Sequence, residues 1–326
     1  MADAELRLVV PESAVGGRLD TWLAAQDSAP TRSQIKRAVR EGRLSVDGAA
    51  GRLSLRLRGG EVVELSAGQG KQMSGDVVAQ DIPLTILFED EHIVAVDKAH
   101  GMVVHPAVGN PDGTLVNAVL GRYGPAGLPG ESHRVGIVHR LDRDTSGVIL
   151  VARTVEAHEA LSRQFRERTI SKTYLALVRG NVAEAGQVDA PIGRHPRDRK
   201  KMSTAATVSR AAVTDYTPLE RFGAATWLEA RPLTGRTHQI RVHLASRGWP
   251  IVGDPIYGSR PRASRTGGGR VIAAVGAVPR LALHAAAIEF DHPSGERLKI
   301  EAPLPADLAV AIQTLREVVS NVVDSR

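Results

Sequence analysis

Cysteine is absent from the 326 residues. That one absence excludes disulfides, thiol nucleophiles and cysteine-ligated metals. Aromatic residues make up only 3% of the chain, so aliphatic side chains must fill its core. No apolar run nears the ~18 residues that suggest a membrane-crossing helix. The start, MADAELRLVVPESAVGG, lacks the basic stretch and apolar run of a signal peptide. No G-x-x-x-x-G-K-(S/T) loop is present, and the glycine-rich stretches lack the strand–glycine–helix setting of a dinucleotide site. No G-x-S-x-G elbow surrounds Ser146. His238 and His243 are too widely spaced for an H-E-x-x-H pair and have no Glu between them. The histidines are therefore expected to hydrogen-bond within the fold. These absences lead to the expectation of a cytoplasmic protein with no membrane contact, metal or cofactor.

What is present is a 42% hydrophobic chain with a formal net charge of +6. Its length suits one large and one small domain, and its charge favours a polyanionic partner. Arg18, Arg32, Lys36, Arg37, Arg40, Arg43, Arg52, Arg56 and Arg58 lie between Gly16 and Gly60, against Asp20, Asp27, Glu41 and Asp47. The pattern predicts helices at Arg18–Ala24 and Thr31–Gly42 and a strand and turn at Leu44–Gly48. Two more strands are expected at Leu53–Leu57 and Glu61–Leu65. Arg32, Lys36, Arg40 and Arg43 recur at helical spacing. Such a stripe can follow a phosphate backbone or simply be a solvated helix face. The order of elements resembles the small RNA-binding domain named after ribosomal protein S-four, here residues 16–66.

A polar linker is expected over 67–81 and a mixed α/β domain over 82–310, with a C-terminal helix at 311–326. Within that domain, Gly136–Val151 reads GIVHRLDRDTSGVILV: two β-type runs flanking a charged turn closed by glycine. Two carboxylates, Asp142 and Asp144, lie among Arg140 and Arg143. Asp144 before Thr145-Ser146-Gly147 suits an Asx turn. Residue types alone leave Asp142 open between a working carboxylate and one that holds a loop.

His139–Gly147 (HRLDRDTSG) resembles the signature of RluA/RluD-type pseudouridine synthases. Lys172-x-Tyr174, the basic loop Ile192–Met202, GRTHQIRVHLA from Gly235 and GDPIYG from Gly253 follow in that family's order. One departure is Lys98-Ala99-His100-Gly101 where the family reads K-P-x-G. The resemblance implies an α+β fold: a catalytic domain on a mostly antiparallel mixed sheet with flanking helices, preceded by the small RNA-binding domain. It also implies cofactor-free isomerisation of uridine, with large-subunit ribosomal RNA or its precursor particle as partner; a monomer is expected because the sequence shows no coiled coil or long apolar edge.

The resemblance assigns Asp142 as nucleophile, Arg241 as its salt-bridging partner, and Tyr174 as the ring against the flipped base and the agent that takes the proton from ring carbon 5. Arg140 enters the space the uridine leaves. Arg32, Lys36, Arg37, Arg40, Arg194, Arg199 and Lys200 are the expected RNA contacts. A carboxylate in a pocket that stacks a base must stay ionised against desolvation, and a guanidinium favours that charged form. Two other classes remain for test: a non-catalytic RNA-binding or ribosome-assembly factor on the same fold, and a glycoside or nucleoside hydrolase using Asp142 and Asp144.

Overall fold

A computed structural model describes residues 4–26, 32–40, 42–66, 77–107, 109–129, 135–198, 201–258 and 269–323. The chain divides into two compact units, Met1–Gly75 and Asp76–Arg326.

In the first unit, β1 (Ala4–Val9), β2 (Leu44–Val46), β3 (Ala49–Ala50) and β4 (Val62–Ser66) form a sheet in the order β1-β4-β2-β3. Helices α1 (Leu19–Leu23) and α2 (Arg32–Arg40) belong to the same unit. Leu19, Leu23, Ile35, Leu44, Leu57 and Val63 make its aliphatic core. Leu53–Leu57 alternates like a strand but is not one. Its backbone serves the entrance to α1 instead: Leu55 O accepts from Leu19 N at 2.9 Å, and Leu57 N donates to Gly17 O at 3.0 Å. Only Arg56 makes a bridge, to Arg18.

The second unit contains β5 (Thr85–Glu89), β6 (Ile93–Lys98), α3 (Leu115–Tyr123), β7 (Ser146–Ala152), α4 (Val155–Glu167), β8 (Ser171–Arg179) and β9 (Gly186–Asp189). Three short strands follow: β10 (Ile192–Arg194), β11 (Met202–Ser203) and β12 (Ser209–Arg210). The remainder is β13 (Val213–Arg221), β14 (Ala225–Pro232), α5 (Gln239–Ser246), α6 (Gly269–Gly276), β15 (Leu283–Asp291), β16 (Arg297–Glu301) and α7 (Ala306–Val323). The main sheet runs β5-β6-β7-β15-β8-β14-β13-β9, with β16 paired to β15. Its pairs are antiparallel except β7 with β15.

Every residue of β7 is buried, which explains its unbroken apolar run: a central strand covered on both faces needs no polar alternation. Gly147 is required where β7 meets β15. It has φ +114°, and a Cβ there would run into the Ala285 carbonyl. Thr154 caps α4 by accepting from Ala157 N at 3.1 Å, a contact type that contributes about 1 kcal/mol.

Two expected boundaries shift. Residues 77–81 fall within the predicted linker, yet they are tied to α3: Asn117 Nδ2 donates to Val78 O at 2.8 Å and Gln80 N to Asn117 O at 3.0 Å. The terminal helix α7 begins at Ala306 and buries Leu308, Ile312 and Leu315 in the core shared by β8, β14 and α5. It is therefore an integral layer of the unit, because its apolar stripe starts before residue 311.

Candidate active site

The charged turn sits between a single bridge and a long strand. The run entering it contributes only the Ile137–Val151 bridge, since Gly136 N is already spent on Pro129 O at 2.7 Å. Thr145 N donates to Asp142 O at 3.1 Å and closes the turn. Asp144 does not form the expected side-chain-to-backbone bond among the described residues. It accepts instead from Arg143 Nε at 3.0 Å.

Beneath this turn lies Lys98, wholly buried. Its Nζ donates to Ala99 O and Met102 O, each at 2.9 Å, and to Arg143 O at 3.1 Å. Gly101 N donates to the same Arg143 carbonyl at 2.9 Å. The Lys98–Gly101 segment is thereby stitched to the charged turn without the proline that the resemblance led one to expect. Burial pulls the Lys98 ammonium down to about 8, against the upward influence of Asp144 and Asp142.

Asp142 faces a cavity of about 500 Å³ whose lining includes Arg140, Arg166, Arg168, Lys172, Tyr174, Arg236, His238 and Arg241. Asp142 is the carboxylate among these described lining residues. Arg241 Nη1 donates to Asp142 Oδ2 at 2.9 Å. Its other face grips Asp254: Nε to Oδ2 at 2.8 Å and Nη2 to Oδ1 at 2.9 Å. The Arg241 side chain is 4% exposed and Asp254 0%, whereas Asp142 is 19% exposed. A two-point clamp below and one contact above aim the guanidinium at the cavity. Burial pushes the Asp254 carboxyl up. The bonds from Arg241 and from the Tyr257 and Ile256 backbone outweigh that and hold it below the usual carboxylate range.

The segment before α5 is braced by Gln239. Its Oε1 accepts from Thr234 Oγ1 at 2.6 Å and Arg236 N at 3.0 Å, and its Nε2 donates to Val213 O at 2.9 Å. Arg241 is thus delivered on a helix whose entry is fixed at both ends. The Tyr257 ring lies 5.2 Å from the Arg241 guanidinium carbon.

Tyr174 lies on β8, which pairs with β15 and β14. It is half-buried on the cavity wall. Burial, and then the Asp142 charge, push its phenol above its ordinary value. Lys172, on the same strand face by the period of two, is drawn down to about 8 by burial and by Arg168. His139 stacks on Phe165 at 4.7 Å and its Nε2 accepts from Leu150 N at 2.9 Å. Burial and then Lys172 drive it down to about 3. His243 is likewise satisfied within the fold, by Thr214 Oγ1 and Ala190 O, both at 2.9 Å.

The structure therefore brings Asp142, Tyr174, Arg241 and the exposed Arg140 to one cavity. Arg194 ends β10 in the hairpin with β11 and is not part of that lining. Lys36 and Arg40 are exposed on α2 in the other unit. Arg32 and Arg37 lie on α2 too, but their side chains fall outside the described residues, as do Arg199 and Lys200 entirely. Sequence reasoning missed Asp254, Tyr257, Lys98 and the position of His238. The GDPIYG run was the available signal for the first two. Among the described residues no cluster of His, Asp or Glu could hold a metal, and no helix is long and apolar enough to cross a membrane.

A family model described as RNA pseudouridylate synthase matches residues 92–246, and an S4 domain model matches 17–63. The chain is 46% identical over 318 residues to a ribosomal large subunit pseudouridine synthase D of Xanthomonas campestris pv. campestris, covering 97% of this chain and 94% of that protein. The chain belongs to the RNA pseudouridine synthase family. A ribosomal large subunit pseudouridine synthase D of Pseudomonas aeruginosa is 44% identical over 310 residues, covering 94% of this chain and 95% of that one. In Escherichia coli (strain K12) the figures are 40% over 315 residues, 96% and 94%. A solved structure titled human RNA Pseudouridylate Synthase Domain Containing 1 superposes with a TM-score of 0.55 at 26% identity, over 73% of this chain and 96% of that one. As a pseudouridine synthase, the chain is an isomerase that converts uridine to pseudouridine in RNA, which sets aside the assembly-factor and hydrolase readings.

Proposed function

We propose that the chain isomerises specific uridines of large-subunit ribosomal RNA, acting as a cytoplasmic monomer without a cofactor. The observation that carries the residue assignment is Asp142 bonded at 2.9 Å to a guanidinium that Asp254 holds from behind. Relatives named for the large ribosomal subunit support the choice of substrate.

The isomerisation breaks the bond from the ribose to ring nitrogen 1, turns the base and rejoins it through ring carbon 5. Asp142 is the nucleophile, attacking sugar or ring and departing at the end. Arg241 orients its carboxylate. The product carries a proton on nitrogen 1 and has lost one from carbon 5, so the net proton change is zero. A phenol that rests protonated, as Tyr174 does, suits this balance if it gives its proton to nitrogen 1 and then takes the one from carbon 5. Its ring also supplies the face against which the extruded base lies. Extrusion costs a few kcal/mol, and Arg140, exposed beside Asp142, offsets part of that by filling the vacated space. Lys36 and Arg40 of the S4-type unit, with Arg32, Arg37, Arg194, Arg199 and Lys200, neutralise backbone phosphates.

The test is incubation of the purified protein with unmodified large-subunit ribosomal RNA, followed by mapping of mass-neutral uridine conversion. The native protein should convert defined uridines and Asp142→Asn should fall to background while still binding the RNA. An Asp142→Asn variant that works at the native rate would refute the nucleophile. RNA bound without product, or release of free uracil, would revive the two alternative classes.

A further inference from the structure

His238 stands beside the reacting carboxylate, and none of the roles above uses it. It enters α5 with φ 58° and ψ 20°, a left-handed backbone that L-residues avoid and that persists where the surroundings enforce it, often at functional sites. Its imidazole forms part of the cavity wall. Nε2 lies 4.0 Å from Asp142 Oδ2, beyond hydrogen-bond distance. Nδ1 lies 2.9 Å from Tyr257 Oη.

The protons on this pair can be assigned. Tyr257 Oη accepts from Met202 N at 2.8 Å. The phenol has one proton to donate, and Nδ1 is the acceptor in reach. With the phenol as the donor in this contact, Nδ1 is bare and the neutral ring carries its hydrogen on Nε2, the nitrogen nearer Asp142; this is the tautomer assigned from these contacts. Burial, the largest influence, holds His238 below its ordinary value and so neutral. Asp142 and Asp254 pull the other way, and Arg241 and Arg140 reinforce burial. Burial also keeps the Tyr257 phenol above its ordinary value, so it retains the proton that fixes the tautomer.

We propose that His238 is a catalytic residue, donating its Nε2–H to a uracil carbonyl oxygen as negative charge develops on the ring. The proposal rests on the isomerase reading above but does not depend on where Asp142 attacks. Attack on the sugar leaves the glycosidic electron pair on nitrogen 1, shared with the carbonyl oxygens. Attack on ring carbon 6 pushes the double-bond pair toward the carbonyl at carbon 4. Either way a carbonyl oxygen becomes more negative, and a donor held in place stabilises that charge without reorganising. The proton stays on nitrogen, so no acid or base is consumed. A neutral ring suits the task, since an imidazolium would pair with Asp142 and tie up the nucleophile.

Two measurements on the full-length protein test this. Single-turnover isomerisation of an unmodified large-subunit ribosomal RNA transcript should slow on the order of 10²–10³-fold in His238→Asn, the usual loss for one such donor, with RNA affinity unchanged. Asn tolerates the left-handed backbone, so the loss reports the imidazole. His238→Gln, whose amide can donate from a similar reach, should recover part of the rate. A native rate in His238→Asn, or a loss confined to RNA affinity, overturns the proposal. Nitrogen NMR of protein labelled at histidine should show His238 protonated on Nε2 and bare on Nδ1 at neutral pH, and the opposite tautomer overturns the proposal without any RNA. A native protein that makes no pseudouridine would instead count against the substrate reading, and the tautomer measurement would still decide this one.

Discussion

Asp142 receives Arg241 at a single point, Nη1 to Oδ2 at 2.9 Å. Among the described residues no donor bonds the second oxygen. One oxygen is thus anchored and the other is left free for the nucleophilic role proposed above. The two-point grip on Asp254 is what allows this division, because it fixes the guanidinium without help from Asp142.

Replacing Arg241 should therefore unfold as well as inactivate. Arg241→Met leaves the fully buried Asp254 carboxylate without its two side-chain bonds, a type of loss worth about 3–5 kcal/mol. Urea unfolding should show that loss. Adding Asp254→Leu should recover much of the stability, since an apolar pair can replace a buried ion pair, while isomerisation stays absent.

Tyr174→Phe separates ring from hydroxyl. The stacking face remains, so RNA binding should persist. The hydroxyl proposed to carry the proton between nitrogen 1 and carbon 5 is gone, so single-turnover rate should drop by about 10²–10⁴, the usual range for a general acid–base group. Unchanged turnover would reduce Tyr174 to a stacking surface.

Lys98 gives a pH signature. Its ammonium is held at about 8 in the fold, against 10.5 ordinarily. Between those values the unfolded chain binds the extra proton, so stability contributed by this group rises with pH through that window and is flat below it. The difference in unfolding free energy between the native protein and Lys98→Met should grow in favour of the native protein from pH 8 to 10.5, by at most about 3 kcal/mol. Parallel pH curves for the two proteins would contradict the assigned burial effect.

Lys36 and Arg40 test the S4-type unit. If both reach phosphates, Lys36→Ala with Arg40→Ala should lower the slope of log affinity against log salt by about 1.4–1.8. Turnover at saturating RNA should hold. An unaltered slope would make the α2 stripe a solvated face.

That Asp142, Tyr174 and Arg241 would come to one place was legible through the family resemblance of the motifs that hold them, since residue types alone left Asp142 open, and the structure does line one cavity with all three. The α+β class was legible through the resemblance, with apolar runs such as the one that ends at Val151 marking its strands. Lys98 was not, since a lysine at a strand end looks solvated. Its burial arises only when the carbonyl of Arg143, 45 residues on, closes over it. His238 was set aside because its spacing to His243 rules out a metal pair. Its position depends on Tyr257, 19 residues away, and on a backbone twist that no local pattern encodes. Leu53–Leu57 failed in the opposite direction: the alternation was real, but its hydrogen bonds were already claimed by α1.

The parallel seam of β7 with β15 has a consequence in time. Ser146 pairs with His284, 138 positions later in the chain. At ordinary rates of synthesis that interval takes roughly 7–28 s. For nearly all of it the Asp142 turn has no β15 beside it, and Arg280, which also donates to Ser146 Oγ at 3.1 Å, has yet to be made. A nascent chain interrupted between Tyr174 and β15 is a polypeptide that already contains Asp142 and Tyr174 yet lacks the strand that pairs with β7 and β8. Activity should therefore begin only after β15 has been made, with no partially competent precursor before it.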